Sequence, residues 1–206
     1  MTVIVIWLAA LLTAMTPNLS NEPEYRAGRS PDEANDMAIS ARFDVAQEIV
    51  DIAYDFGEAP LYRGAYARAQ TSALLAVVFS LESRLSPRIR LGHCRSGECD
   101  SGDAAGIAQI HPGKWGMRFT ETSYRYCVAG ENVSFCDGPA DLIAHEPRAV
   151  RYALRILRVR GLASYLGEGF EGPATKLRRE ITRRWTAERR PPLTDAEVAR
   201  AEFAEE

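Results

Sequence analysis

Charge of one sign is what this 206-residue chain has little of: 25 Lys and Arg stand against 28 Asp and Glu, a net charge of -3. A partner such as nucleic acid or an anionic membrane calls for a broad cationic field, and this balance supplies none. Histidine is scarce as well. There are three, and His111 and His145 are not spaced with acids at ligand intervals, so no metal is expected. A glycine-rich phosphate loop is missing, as is a Ser-His-Asp pattern, and no cofactor is expected. No internal repeat or shift of composition divides the chain. One substantial core with appendages is the economical organisation.

Long apolar runs are few, and the first is Thr2–Met15, ended by Thr16-Pro17-Asn18. It has the length of a signal-peptide core and falls short of the roughly 20 apolar residues of a comfortable membrane span. No Lys or Arg precedes it, and the small residues near Ala14 form no clean Ala-x-Ala cleavage site. Three readings stay open: a cleaved signal, an inner-membrane anchor made by residues 2–15, and a buried core helix. The first two place the remaining chain outside the cytoplasm, periplasmic or secreted. The four cysteines agree with export. Cys94-x4-Cys99 and Cys127-x8-Cys136 form two local pairs in loop-like sequence, for which two disulfides are the default. A four-cysteine zinc site competes poorly, because the Cys127-x8-Cys136 spacing does not fit the usual knuckle.

The chain then divides into an apolar start over 1–16, a polar linker over 17–29, a main domain over 30–190 and a helical tail over 191–206. Ser30-Pro31-Asp32-Glu33 is a capping box, with Pro at the first helical position. Val45, Ile49, Ile52, Ala53 and Phe56 succeed it at helical spacing until Gly57 and Pro60 end the helix. A second helix, near 69–84, is apolar all round and is expected to be central. Residues 87–104 lack any period. Two helical segments are expected around 139–160, interrupted at Pro147, then a turn at Gly161 and a helix near 173–189. Thr194-Asp-Ala-Glu197 is another capping box. The fold class is mainly α. The C-terminal third is locally basic, Lys176 and Arg178 through Arg190, which reads as a solvated helix face or as attraction to an anionic wall.

The most informative pairing is Glu82-Ser83, at the tip of the apolar Ser72–Leu81 run, with the downstream block Gly106-Ile-Ala-Gln-Ile-His-Pro112. A carboxylate at the end of so greasy a helix is expected to be partly desolvated, which favours its protonated form and makes Glu82 a candidate general acid. These two motifs resemble the lysozyme-like superfamily, in its lytic transglycosylase and goose-type lysozyme branch. There a Glu-Ser pair ends a buried helix, and a Gly-Leu-Met-Gln-type block lines the glycan cleft. Ala108 stands where Met is usual. His145–Leu157 is similar to the family's next helix, without its Asn-Ile start, and Ser164-Tyr165-Leu166-Gly167 is similar to a Tyr-Asn-small-Gly element, with Leu166 in place of Asn.

The resemblance implies a lysozyme-like domain with a small irregular or β-hairpin lobe near 87–104, acting on peptidoglycan glycan strands. Glu82 would be catalytic, and Ser83, Gln109, Ile110 and Tyr165 would contact substrate. A transglycosylase needs one carboxyl: the substrate N-acetyl group stabilises the cationic centre, and the muramyl 6-hydroxyl closes an anhydro ring. A hydrolase needs a second carboxylate, for which Asp100 and Asp103 are the candidates beside Glu98. Each of these also reads as ordinary turn chemistry. Trp115, Tyr124 and Tyr126 are open to sugar stacking or to packing. Outside enzymology, a wall-binding or scaffold protein that keeps the fold remains an alternative.

Overall fold

The computed structural model describes residues 2–94, 106–110, 139–166 and 191–203. Its elements are α1 (Thr2–Met15), a 3-10 turn (Leu19–Asn21), α2 (Pro23–Arg26), α3 (Pro31–Tyr54), α4 (Ala67–Glu82), α5 (Pro87–Arg90), α6 (Pro139–Ala144), α7 (Glu146–Leu166) and α8 (Asp195–Phe203). The architecture is mainly α, with no strand among the described residues. The expected lobe over 87–104 and the helix near 173–189 fall largely or wholly outside them.

α3 begins where the capping box puts it. The Ser30 hydroxyl accepts from the Glu33 N–H at 3.3 Å, and the Glu33 carboxylate accepts from the Ser30 N–H at 2.7 Å. Two orphan donors are thereby satisfied at the helix start. Thr194 and Glu197 repeat the arrangement at α8, with bonds of 2.7 and 3.2 Å. The interruption expected near Pro147 lies at His145 instead, and Pro147 occupies the first turn of α7, where a missing N–H costs nothing. The turn expected at Gly161 is absent: α7 runs through it to Leu166. A lone glycine inside a helix costs only about 1 kcal/mol relative to Ala, which a long packed helix absorbs.

The core is shared by four helices. Leu8 and Leu12 of α1, Val45 and Ile49 of α3, Leu74 and Phe79 of α4, and Val150 and Leu154 of α7 are all fully buried. α1 packs on both α3 and α4, and α7 packs on the same two. Residues 2–15 are thus a core helix in this structure, with Ile4, Val5, Leu8, Ala9, Leu11 and Leu12 inside. Among the described residues no helix is long and apolar enough to cross a membrane. The stretch expected to be a linker is folded too, with Leu19 and Tyr25 buried.

Polar ties close the bundle. Arg42, 3% exposed, donates from Nε to the Thr16 hydroxyl at 3.2 Å and from Nη2 to the Thr16 carbonyl, capping the C-terminal end of α1 from α3. Tyr66 gives α4 no side-chain cap, and Asp195 of the tail replaces it, its carboxylate accepting from the Arg68 N–H at 2.9 Å. Arg68 in turn donates to the Ala53 and Asp55 carbonyls at the end of α3, at 2.6 and 2.9 Å.

Candidate active site

α4 is built as the central helix. Thr71 through Phe79 are buried without interruption, a helix with no solvent face until its last turn. Leu81 is exposed and Glu82, the last helical residue, is half-buried. The buried barrel of the helix therefore delivers one carboxyl to a boundary between core and solvent.

A strained turn comes directly after Glu82. Ser83 is fully buried and its hydroxyl is spent on the backbone, donating to the Phe79 carbonyl at 2.9 Å and accepting from the Leu85 N–H at 3.2 Å. Arg84 and Leu85 both lie in the left-handed region, with φ of 53° and 56°. For residues with a Cβ this costs about 1–2 kcal/mol each. Leu85 is fully buried, which offsets the cost by roughly 1.5–3 kcal/mol. The Ser86 N–H donates to the Ser83 carbonyl at 2.9 Å and closes the turn.

The second motif is a turn as well. Gly106, at φ 67°, opens it, and a Cβ there would sit 3.5 Å from the Leu142 carbonyl and 3.7 Å from the Ala149 methyl. Gln109 is left-handed at φ 45° and only 9% exposed, and its Nε2 donates to the Gly106 carbonyl at 2.9 Å. Ile107, Ala108 and Ile110 are buried. Ala108, Gln109 and Ile110 line one pocket of about 30 Å³ together with Val78 of α4 and Ala153, Ile156 and Leu157 of α7. Two segments distant in sequence thus meet on one side of the helix that ends at Glu82. Left-handed non-glycine backbone occurs at Arg84, Leu85 and Gln109 and at no other described position. Such strain gathers where surrounding structure over-determines a functional geometry.

Asp100, Asp103, Glu98, Cys99, Cys127, Cys136, His111, Trp115, Tyr124 and Tyr126 lie outside the described residues, as do Lys176 through Arg190. Tyr165 falls in the last turn of α7, and its side chain is also outside them. Cys94 is disulfide-bonded, and no cysteine is free among the described residues. No group of three or more His, Cys, Asp or Glu that could hold a metal occurs among the described residues.

Two charged clusters went unforeseen. Glu58, 2% exposed, is held by three arginines of α7: Arg151 at 3.0 Å, Arg155 at 2.9 Å and Arg158 at 3.1 Å. Burial works to raise its carboxyl, and the hydrogen bonds from Arg155, Arg158 and Arg151 outweigh it and hold it below the usual range. The i, i+4, i+7 spacing of those arginines is visible in the sequence as one helix face; their acidic partner is not. The second cluster joins α3, α5 and α7. Arg90 places Nε and Nη2 on one oxygen of Glu146, at 2.9 and 2.7 Å, and Glu48 stands beside that glutamate. Burial first, then the neighbouring Glu146 charge, push the Glu48 carboxyl up to about 8.

Comparison with family models, with curated proteins and with solved structures finds no match to this chain.

Proposed function

We propose that this protein is an exported peptidoglycan lytic transglycosylase with a lysozyme-like fold, cleaving the β-1,4 bond between N-acetylmuramic acid and N-acetylglucosamine. The observation that carries the reading is a convergence. The two segments on which the resemblance rests meet at one pocket with α7, lined by Val78, one turn before Glu82, and by Ala108, Gln109 and Ile110. Left-handed backbone follows Glu82 at Arg84 and Leu85 and recurs at Gln109.

Glu82 acts as general acid, protonating the departing glycosidic oxygen as the sugar develops oxocarbenium character. The substrate N-acetyl group then stabilises the cationic centre. Glu82, now ionised, takes the proton of the muramyl 6-hydroxyl as that oxygen closes the 1,6-anhydro ring. Gln109 spends one Nε2 hydrogen on the Gly106 carbonyl, which fixes the amide and leaves its oxygen to accept from a sugar or peptide N–H. Ser83 serves the turn behind Glu82 rather than the substrate, since it is fully buried with its hydroxyl donating to the Phe79 carbonyl and accepting from the Leu85 N–H. The disulfide at Cys94 supports an oxidising compartment outside the cytoplasm. Packed on α3 and α4, α1 travels as part of the folded protein.

The test is Glu82→Gln. The amide is nearly isosteric and cannot deliver a proton, so lysis of purified sacculi is expected to fall by about a hundredfold or more with the circular dichroism spectrum unchanged. Equal lysis rates for the two proteins would remove Glu82 from the mechanism. Binding of sacculi without lysis by the wild type would indicate a wall-binding protein.

A further inference from the structure

We infer that Glu22 is a positioning residue for Glu82, acting through the Ser83–Ser86 turn; this rests on the reading of Glu82 as the general acid. Ser86 stands at the N-cap of α5, where a serine hydroxyl ordinarily accepts from the first turn of its own helix. Here it makes no such cap. It donates instead to Glu22 Oε2 at 3.2 Å, across 64 residues of sequence. The tie is long-range rather than local, and Ser86, 1% exposed, holds its end of it inside the protein while Glu22 lies at the boundary.

A second contact runs alongside it. Glu24 Oε1 lies 3.7 Å from Arg88 Nε, so two carboxylates of the N-terminal segment grip the start of α5 at alternate residues. That segment is itself anchored by buried Leu19 and Tyr25. Between the grip and Glu82 lie only Ser83, left-handed Arg84 and left-handed Leu85, then Ser86 itself. With Glu22 in place, Ser86 is fixed from outside while its N–H holds the Ser83 carbonyl at 2.9 Å. Without Glu22, the Ser86 hydroxyl loses its anchor outside the turn, the strained pair is free to relax, and the last turn of α4 loses its backing. A general acid must sit within about 0.5 Å of its productive position, so the loss falls on turnover rather than on binding.

Initial rates of muropeptide release over a range of sacculus concentrations test this, with wild type, Glu22→Gln, Glu22→Ala, Ser86→Ala and the double variant Glu22→Ala/Ser86→Ala. Glu33→Ala, which weakens the α3 cap away from the turn, serves as the purely structural control. Glu22→Gln keeps an accepting oxygen and is expected to stay within about twofold of wild type. Glu22→Ala and Ser86→Ala are each expected to lower kcat by about five- to tenfold at unchanged KM, the double variant no further. Glu33→Ala should lower the melting temperature and leave kcat alone. Active wild type with wild-type kcat in Glu22→Ala overturns the inference by itself, as does an equal kcat loss in Glu33→Ala. A wild type that releases no muropeptide overturns the reading of Glu82 and this inference together.

Discussion

Glu48 and Glu146 share a boundary that water only partly reaches, and each has one buried oxygen that receives no hydrogen bond from another group. Two carboxylates cannot satisfy each other, because both only accept; a proton on Glu48 turns it into a donor and resolves the conflict. Asp44 adds negative charge nearby and Arg90 opposes it. Because the folded-state value of Glu48, about 8, lies above its unfolded value, its contribution to stability is fully present below about pH 4.5. It is lost as pH rises from there through 8. Glu48→Gln, which fixes the neutral donor form, should flatten the melting temperature across that window and exceed wild type by several degrees at pH 8.5. A variant that tracks wild type over the same range would show that Glu48 carries no shared proton. At this scale Glu82 and Gln109 stood out in sequence because their neighbours in the chain explain them. Glu48, Glu58 and Arg42 did not, since each draws its role from a partner far along the chain: Glu146, the α7 arginines and Thr16.

Among the elements, α1 changes most between sequence and structure. Fourteen residues, apolar but for Thr2 and Thr13 and without a charge, have the composition of a leader, an anchor or a core helix, and composition cannot separate them. In this structure α1 packs as a core helix, and Arg42 is what ties it there. Its guanidinium is buried and its partners are the Thr16 hydroxyl and carbonyl at the end of α1, so removing α1 strips a buried cation of those bonds and bares the apolar sides of α3 and α4. Protein lacking residues 1–16 is expected to lose its cooperative thermal transition and bind hydrophobic dye. A sharp transition in the truncated protein, as a removable signal would require, would contradict the packing of α1. The other elements were legible to the extent that their signals are local. Both capping boxes fixed helix starts at Pro31 and Asp195, and the all-round apolar run located α4 to within two residues at each end. Gly161 misled because a glycine reads the same in a turn and inside a helix long enough to tolerate it.

For the whole molecule, the N-terminal segment and the tail are both bound into the main domain. Arg42 ties the first helix to α3, Asp195 ties the last described helix to α4, and Glu58 gathers the exposed side of α7. The result is a scaffold in which α4 is held at its start by the tail and is packed against α1, α3 and α7. The catalytic account built on that scaffold is tested most directly by mass spectrometry of sacculi digested with the purified protein. If Glu82 works alone, the products are 1,6-anhydro-muropeptides, one water lighter than hydrolytic fragments, and Asp100→Asn and Asp103→Asn retain most activity. If only reducing ends appear, and either aspartate substitution is severely damaging, the reaction is a hydrolysis with a second carboxylate and the transglycosylase account is wrong.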